Sequence, residues 1–242
     1  PAPSRRKSLW WGGVKVLAIS TSASRYEKTG HRTGMWLGEY THFYDELTEA
    51  GHDVTLASIT GGEIPIDPVS LQPPVINLGG TAKRYQDREF MSQLDDTPAV
   101  SDLNAEDFDA VYLIGGHGTL FDFDDPALKT LLADFTENGT IVSAVCHGPA
   151  GLLDVPLPSG GTLLSGKKAT GYTWTEEKLA RRADAVPYSL EERLEAEAGE
   201  YTTATIPMTE HVVTDGTLVT GQNPMSAAGV GKEVVRLLAE RG

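Results

Sequence analysis

The single cysteine of the chain, Cys146, lies in the segment IVSAVCHGPAG over residues 141–151. An apolar run precedes it, His147 follows it, and the small residues Ala144 and Gly148 lie two positions to either side. This spacing is typical of a nucleophile elbow, a sharp strand-to-helix turn in which larger neighbours would clash. The pattern therefore predicts a catalytic thiol with a histidine beside it that can carry protons.

A buried structural thiol is the alternative, because free cysteine is among the residue types most often buried. Two features of the setting favour the nucleophile. In an open α/β sheet, ligands bind beyond the carboxyl ends of the strands, and the helix predicted to begin in GPAGLLD would place its positive end near Cys146. A helix N-terminus stabilises a thiolate.

A second glycine-rich turn, LIGGHGTLFDF over residues 113–123, ends another predicted strand. It should therefore lie at the same edge of the sheet, where its amides and that of His147 can form an oxyanion hole. An ordinary loop is the alternative. Phosphate binding is disfavoured, because neither a G-x-G-x-x-G motif nor a Walker lysine is present.

Short β-branched runs alternate with helical patterns along most of the chain, and this alternation positions both turns. It predicts a single α/β domain over residues 13–242, with a mostly parallel sheet flanked by helices on both faces. A long polar insertion around 60–107 interrupts the alternation, and such segments are usually functional or interface pieces. The predicted strands are 14–20, 52–59, 109–116 and 140–145, the helices are 38–51, 125–139 and 226–242, and a hairpin covers 211–224.

The composition excludes several classes of function. The formal net charge is −14 over 242 residues, and so acidic a surface repels nucleic acids and anionic membranes. No apolar run approaches the roughly 20 residues that span a bilayer. No His-x-x-x-His or Cys-x-x-Cys spacing occurs, so no metal is expected. We expect a cytoplasmic protein in which residues 1–12 form an extension before the domain.

Five segments in this order resemble the ThiJ/PfpI superfamily, which is related to class I glutamine amidotransferases. They are TGMWLGEYTHFYDEL, GGHGTLFDF, AVCHGPAGLL, TGYTWTEE and DGTLVTGQNPMSA. The sequence is most similar to the branch of heat-induced chaperones that also act as glyoxalase III. The resemblance implies a flavodoxin-like fold, a homodimer, and cofactor-independent conversion of methylglyoxal or a similar 2-oxoaldehyde to a 2-hydroxy acid.

The resemblance also implies roles for individual residues. Cys146 matches the nucleophile, His147 its triad neighbour, and Glu39 the glutamate that approaches the thiol from the first helix. The acid partner of the histidine falls on Glu177, with Glu176 as a near alternative.

The remaining pocket residues follow from the same motifs. The oxyanion donors are the amides of Gly116 and His147, and Gly115 and His117 are further pocket residues. Trp174 stands where relatives often have a small polar residue, which predicts a reshaped pocket.

The chemistry is coherent on its own terms. A thiolate adds to an aldehyde, a nearby carboxyl group moves a proton between adjacent carbons, and water cleaves the resulting thioester. A carboxylate near Cys146 raises the pKa of the thiol, whereas the helix end and His147 lower it. If Glu39 is protonated and shares its proton with the sulfur, Cys146 should react with iodoacetamide faster than free cysteine does.

Other uses of the same scaffold stay open at this point. The thiol can serve a deglycase, a cysteine peptidase or an amidase, and the scaffold can serve a stress chaperone or redox sensor. An amidotransferase-like module is disfavoured, because the downstream His-x-Glu pair of those enzymes is missing.

Overall fold

The computed structural model describes residues 13–241, so the predicted extension over residues 1–12 lies outside it. Its strands are β1 (Lys15–Ser20), β2 (Asp53–Ser58), β3 (Ala110–Leu113), β4 (Ile141–Val145), β5 (Lys168–Ala169), β6 (Glu200–Tyr201), β7 (Val212–Asp215) and β8 (Leu218–Gly221). Six of them form one sheet in the order β2-β1-β3-β4-β8-β7. Only β7 is antiparallel to its neighbour in this sheet, which confirms the mostly parallel α/β fold.

Helices cover the sheet. They are α1 (Leu37–Glu49), α2 (Thr81–Gln86), α3 (Arg88–Ser92), α4 (Thr119–Asp122), α5 (Pro126–Glu137), α6 (Trp174–Leu179), α7 (Leu190–Glu197) and α8 (Ala227–Ala239). Every residue of β3 and β4 is buried, as parallel strands are when layers lie on both of their faces. No helix between residues 13 and 241 is long and apolar enough to cross a membrane.

Local sequence signals account for the main helix boundaries. The Asp125 side chain accepts hydrogen bonds from the amides of Ala127 and Leu128, and Pro126 occupies the first position of α5. An N-cap carboxylate followed by proline is a favourable helix start. Gly139 follows the end of α5 with a φ of 66°, in the left-handed region that glycine adopts without a steric penalty.

The segment over residues 60–107 folds as part of the same domain. It contains α2, α3 and 3₁₀ turns at Pro68–Leu71, Val75–Gly80, Val100–Asp102 and Ala105–Asp107. Phe90 and Leu94 bury their side chains in the common core. The insertion is therefore anchored to the sheet by apolar packing.

One predicted element is wrong. After Cys146 the chain forms only a five-residue 3₁₀ helix, Gly148–Leu152, and Leu153 is already extended. Two glycines and a proline lie in this stretch, and these residues are the poorest helix formers. A turn this short provides much less aligned dipole than the α-helix expected from the sequence.

Candidate active site

The elbow at Cys146 is present at the end of β4. Cys146 has a φ of 59°, a left-handed conformation that costs a non-glycine residue about 1–2 kcal/mol. Two backbone hydrogen bonds hold it, from the Cys146 amide to the Gly221 carbonyl and from the Tyr172 amide to the Cys146 carbonyl, both 2.9 Å long. The strained turn is thus fixed by the neighbouring strand and by the segment that leads into α6.

Small residues around the thiol are sterically required. A Cβ on Gly148 would lie 2.3 Å from the Leu113 carbonyl oxygen, and one on Gly115 would lie 2.4 Å from Glu39 Oε2 and 2.9 Å from Cys146 Cβ. The close approach of Glu39 to the cysteine therefore depends on Gly115. Gly115, a predicted pocket residue, is not among the residues that line the cavity, and it lies against Glu39 and the Cβ of Cys146.

A buried network joins the thiol to a shared carboxylate. Cys146 Sγ lies 3.3 Å from His147 Nδ1, and His147 Nε2 lies 2.8 Å from Glu177 Oε2. The other carboxylate oxygen of Glu177 lies 2.5 Å from His117 Nε2. If Nε2 of His147 carries the proton that Glu177 accepts, Nδ1 is left unprotonated toward the sulfur.

The first turn of α6 separates the roles of its two adjacent glutamates. Thr173 caps the helix, and its side chain and amide form a capping box with Glu176. Glu176 Oε1 also accepts hydrogen bonds from the side chains of Gln222 and Asn223, both at 2.9 Å. Glu176 is thereby used in holding α6 to the segment after β8, and Glu177 is the residue placed against His147.

Charge and burial set the protonation of the network. Burial and the neighbouring His117 lower the pKa of His147, so its imidazole is neutral at pH 7. Burial alone would raise the pKa of Glu177, but the positive charge that His147 carries at low pH and the hydrogen bonds from both histidines lower it below its usual value. The resting network is therefore a carboxylate with a neutral His147.

Glu39 lies in the first turn of α1, and its side chain is fully buried. Its Oε2 accepts a hydrogen bond of 2.8 Å from the Gly115 amide, and its Oε1 has no partner among the described residues. Burial raises the pKa of Glu39 to about 8, although contacts with Cys146 and the Gly115 amide oppose the rise. A buried carboxyl group with a pKa near neutrality is well suited to carrying a proton.

The structure reverses the expected direction for the thiol. Burial, followed by the charge and contact of Glu39, raises the pKa of Cys146 well above its usual value, and Glu176 and Glu177 add to the rise. The short 3₁₀ turn after Cys146 does little to oppose these carboxylates. Cys146 is therefore a protonated thiol at neutral pH, and it needs a base when it attacks.

Both expected oxyanion donors lie beside the thiol. Gly116 and His147 line the same cavity as Cys146, and neither amide donates to an acceptor in residues 13–241. Gly116 has a φ of 115°, and a Cβ there would lie 2.2 Å from the Gly34 carbonyl oxygen. Only glycine fits this position. Its amide, which bonds to no acceptor in the described residues, is available to a ligand.

The cavity has a volume of about 280 Å³. Four residues that the motifs predict line it, namely Gly116, His117, Cys146 and His147. It is also lined by Tyr26, Asp67, Tyr172, Glu176 and Arg182, most of which the motifs do not predict. Trp174, which was expected to reshape the pocket, is not among the residues that line it. Trp174 instead packs against the core while its amide donates to Glu191.

Three ligand atoms, one each from His117, His147 and Glu177, lie within 4.8 Å of one another, as in a metal site. Each histidine already bonds to Glu177 through Nε2. A cation would have to replace both of these hydrogen bonds, and it would occupy the histidine beside the thiol.

The chain is similar over most of its length to proteins named as glyoxalases. The chain is 33% identical to glyoxalase 3 of Candida albicans, over 92% of this chain and 97% of that protein. It is 30% identical to a glutathione-independent glyoxalase of Saccharomyces cerevisiae, over 88% and 92% of the two chains.

Solved structures of similar fold are also found. The rapid encystment protein of 24 kDa from Francisella tularensis has a TM-score of 0.86 at 32% identity, covering 93% of this chain and 99% of the other. Glyoxalase III from Candida albicans has a TM-score of 0.81 at 32% identity, covering 93% and 97%. The model of the DJ-1/PfpI family matches residues 32–237. The chain therefore belongs to the DJ-1/PfpI family.

Proposed function

We propose that this protein is a glutathione-independent glyoxalase that converts 2-oxoaldehydes such as methylglyoxal to 2-hydroxy acids. The observation that carries the proposal is a thiol with a neutral histidine on one side and a buried, proton-carrying glutamate on the other. The two relatives named above as glyoxalases support the same reaction. No redox cofactor is required, because the substrate is neither oxidised nor reduced overall.

In the first step, Cys146 adds to the aldehyde carbon. His147 Nδ1, 3.3 Å from the sulfur, accepts the thiol proton as the carbon–sulfur bond forms. Glu177 stabilises the resulting imidazolium through Nε2. The amides of Gly116 and His147 bind the oxygen that becomes negative. Protonation of this oxygen gives a hemithioacetal.

In the second step, a proton moves between the two carbons. Glu39 removes the proton from the carbon attached to sulfur, which gives an enediol, and returns a proton to the neighbouring carbon. A pKa of about 8 leaves a minority of Glu39 ionised at pH 7, but it makes that carboxylate a much stronger base than an exposed glutamate. The product of this step is a thioester of a 2-hydroxy acid.

In the last step, water attacks the thioester, and Cys146 leaves as a thiol after protonation by His147. The balance is one 2-oxoaldehyde plus one water to one 2-hydroxy acid. We class the enzyme with glyoxalase III-type lyases for this reason. The cavity volume, about 280 Å³, lies just below the roughly 300–1,000 Å³ of sites for drug-sized ligands, which favours a small aldehyde over a peptide.

The test is to incubate the purified protein with methylglyoxal in the absence of glutathione and to measure lactate and its chirality. We expect stoichiometric lactate of a single hand. Methylglyoxal that persists, or that is consumed without lactate, would contradict the proposal.

A second candidate is a holdase chaperone, and the exposed apolar side chains of Leu179 and Ile206, at 63% and 65% exposure, favour it. Its test is suppression of aggregation of a heat-denatured client by the Cys146→Ala variant, which has no thiol. We further propose that the protein is a cytoplasmic homodimer. Sedimentation equilibrium giving a monomer mass would contradict the dimer.

A further inference from the structure

The Tyr26 hydroxyl is a buried polar group that the proposed chemistry does not use. Tyr26 is only 2% exposed and lines the cavity, yet its hydroxyl has no hydrogen-bond partner among the described residues. A buried hydroxyl without a partner is unfavourable, because desolvation is not compensated. Its position on the cavity wall makes a bound molecule its natural partner.

Arg182 places a second donor beside this hydroxyl. Its guanidinium carbon lies 5.7 Å from the centroid of the Tyr26 ring, and its side chain also lines the cavity. It forms no ion pair within residues 13–241, and its hydrogen bond to the Arg181 carbonyl is a long 3.4 Å. Most donors of this guanidinium are therefore available to a ligand.

Asp67 adds an acceptor to the same wall. It is buried and lines the cavity, with one carboxylate oxygen held by the Thr33 hydroxyl and the other by the Val69 amide, both at 2.9 Å. Each oxygen keeps capacity for a further hydrogen bond. Burial and then the charge of Asp67 raise the pKa of Tyr26, whereas the Thr33 hydroxyl and then Arg182 lower it. The charges of Asp67 and Arg182 therefore both act on the Tyr26 hydroxyl.

The Tyr26 side chain is separated from His147, beside the thiol, by the ring of His117. The Tyr26 ring is 5.5 Å from the His117 ring, which is 4.1 Å from the His147 ring. The cavity also exceeds the needs of methylglyoxal, since a water-sized group requires roughly 10–15 Å³ and the cavity has about 280 Å³. A substrate attached to Cys146 can thus extend past its ketone toward Tyr26.

We propose that Tyr26, Arg182 and Asp67 form a subsite for hydroxyl groups on the carbons beyond the ketone, so that hydroxylated, sugar-like 2-oxoaldehydes are preferred over methylglyoxal. This proposal rests on the proposed function. A hydroxyl group accepts from Tyr26 or Arg182 and donates to Asp67, whereas a methyl group offers none of the three a hydrogen-bond partner. A phosphate would be repelled, because Asp67 and Glu176 both line the cavity against one guanidinium.

The test compares aldehydes that differ by a few oxygens. The kcat/KM values are measured for methylglyoxal, 3-hydroxy-2-oxopropanal, its 3-phosphate and a six-carbon polyhydroxylated 2-oxoaldehyde. We expect wild-type protein to favour a hydroxylated substrate over methylglyoxal by about 3–10-fold, as one or two added hydrogen bonds provide. Tyr26→Phe should lower kcat/KM for the hydroxylated substrate by about 3–10-fold more than it lowers kcat/KM for methylglyoxal.

Two further variants keep the result interpretable. Arg182→Met keeps an unbranched apolar side chain and lacks the donors. Because Arg182 is half-buried, this variant should fold even if Tyr26→Phe does not. Tyr85→Phe removes an exposed hydroxyl far from the cavity wall and should change nothing. Arg182→Met should lower the preference for the hydroxylated aldehyde as Tyr26→Phe does.

The failures of the two proposals are distinct. If wild-type protein turns over no aldehyde, the proposed function fails and the subsite with it. If it turns over methylglyoxal but shows no preference, or if Tyr26→Phe and Arg182→Met leave the preference intact, the subsite alone is overturned. A preference for the phosphate likewise overturns the hydroxyl assignment. Equal loss for all substrates would show that Tyr26 acts only in packing.

Discussion

The two ends of the cavity differ in how completely their polar groups are paired. At the reacting end, the imidazoles of His117 and His147 both bond to Glu177, and Glu39 is fixed by the Gly115 amide. At the far end, the Tyr26 hydroxyl is unpaired and Arg182 has no ion pair among the described residues. The histidine–carboxylate network, in which both imidazoles are paired, holds one geometry for chemistry, whereas the unpaired groups at the far end are free to recognise a substrate.

The largest effect should come from removing the thiol. Cys146→Ala should abolish aldehyde turnover, because no other nucleophile lies between His147 and Glu39 to form the covalent adduct. Alanine fits the elbow sterically, so the melting temperature should change little. Turnover by lactate formation and melting by circular dichroism are the measurements. Turnover that survives would reject covalent thiol catalysis.

The next effect is that of the proton carrier. Glu39→Gln keeps the hydrogen bond from the Gly115 amide but cannot carry a proton, so turnover should fall by about 100-fold or more. Because the active base is the ionised form and burial raises the pKa of Glu39 to about 8, wild-type kcat should rise with pH from 6 to 8. A flat wild-type profile over this range would show that another group moves the proton.

A smaller effect is expected at the shared carboxylate. Glu177→Gln should lower turnover by about 10–50-fold, less than Glu39→Gln, because Glu177 orients His147 and does not contact the reacting carbons. Glu176→Gln is the matched control on α6, because the wild-type Glu176 side chain bonds to Gln222 and Asn223 and not to His147. If Glu39→Gln costs less than Glu177→Gln, the two glutamates have exchanged roles.

The elbow and the glycine-rich turn of the reacting end could be predicted from the sequence because each is a local pattern, whereas Glu39 and Glu177 were assigned through the family resemblance. The spacing around Cys146 requires a tight turn, and the glycine-rich turn at 115–118 must lie at the same sheet edge, so the two could be brought together from chain order alone. The choice between Glu176 and Glu177 was also available. The Thr173-x-x-Glu176 spacing is a capping box, which commits Glu176 to the helix start and leaves Glu177 for the site.

The far end could not be predicted in the same way. Tyr26, Asp67 and Arg182 come from three distant segments, and none belongs to a motif, so only tertiary packing brings them together. The wrong expectation of an α-helix after Cys146 has a related cause. The small residues that the elbow requires are poor helix formers. Without an α-helix after Cys146 there is no large helix dipole to stabilise a thiolate.

The reactivity of the Cys146 thiol at the reacting end can be tested by alkylation. Because burial and Glu39 raise the pKa of Cys146, iodoacetamide should react with it more slowly than with free cysteine at pH 7. In Glu39→Gln the carboxylate charge is gone, so the alkylation rate should increase, most of all at pH 9, where Glu39 of the wild type is ionised. Alkylation of wild-type protein faster than free cysteine would instead support a proton shared between Glu39 and the sulfur.

The smallest effect concerns stability and tests the same buried carboxyl group without substrate. Between pH 4.5 and 8 the folded protein keeps the Glu39 proton that the unfolded chain has lost. The unfolded state therefore binds fewer protons, and stability must fall as pH rises through this window.

The contribution of Glu39 to the free energy of unfolding should fall by about 1.4 kcal/mol per pH unit. Glu39→Gln removes this term, so its stability relative to wild type should increase steadily from pH 5 to pH 8. Urea unfolding of both proteins at four pH values measures the difference, with Glu63→Gln, an exposed glutamate, as the control. A difference that does not vary with pH would mean that Glu39 is ionised in the folded protein, and the proton carrier of the proposed reaction would have to be sought elsewhere.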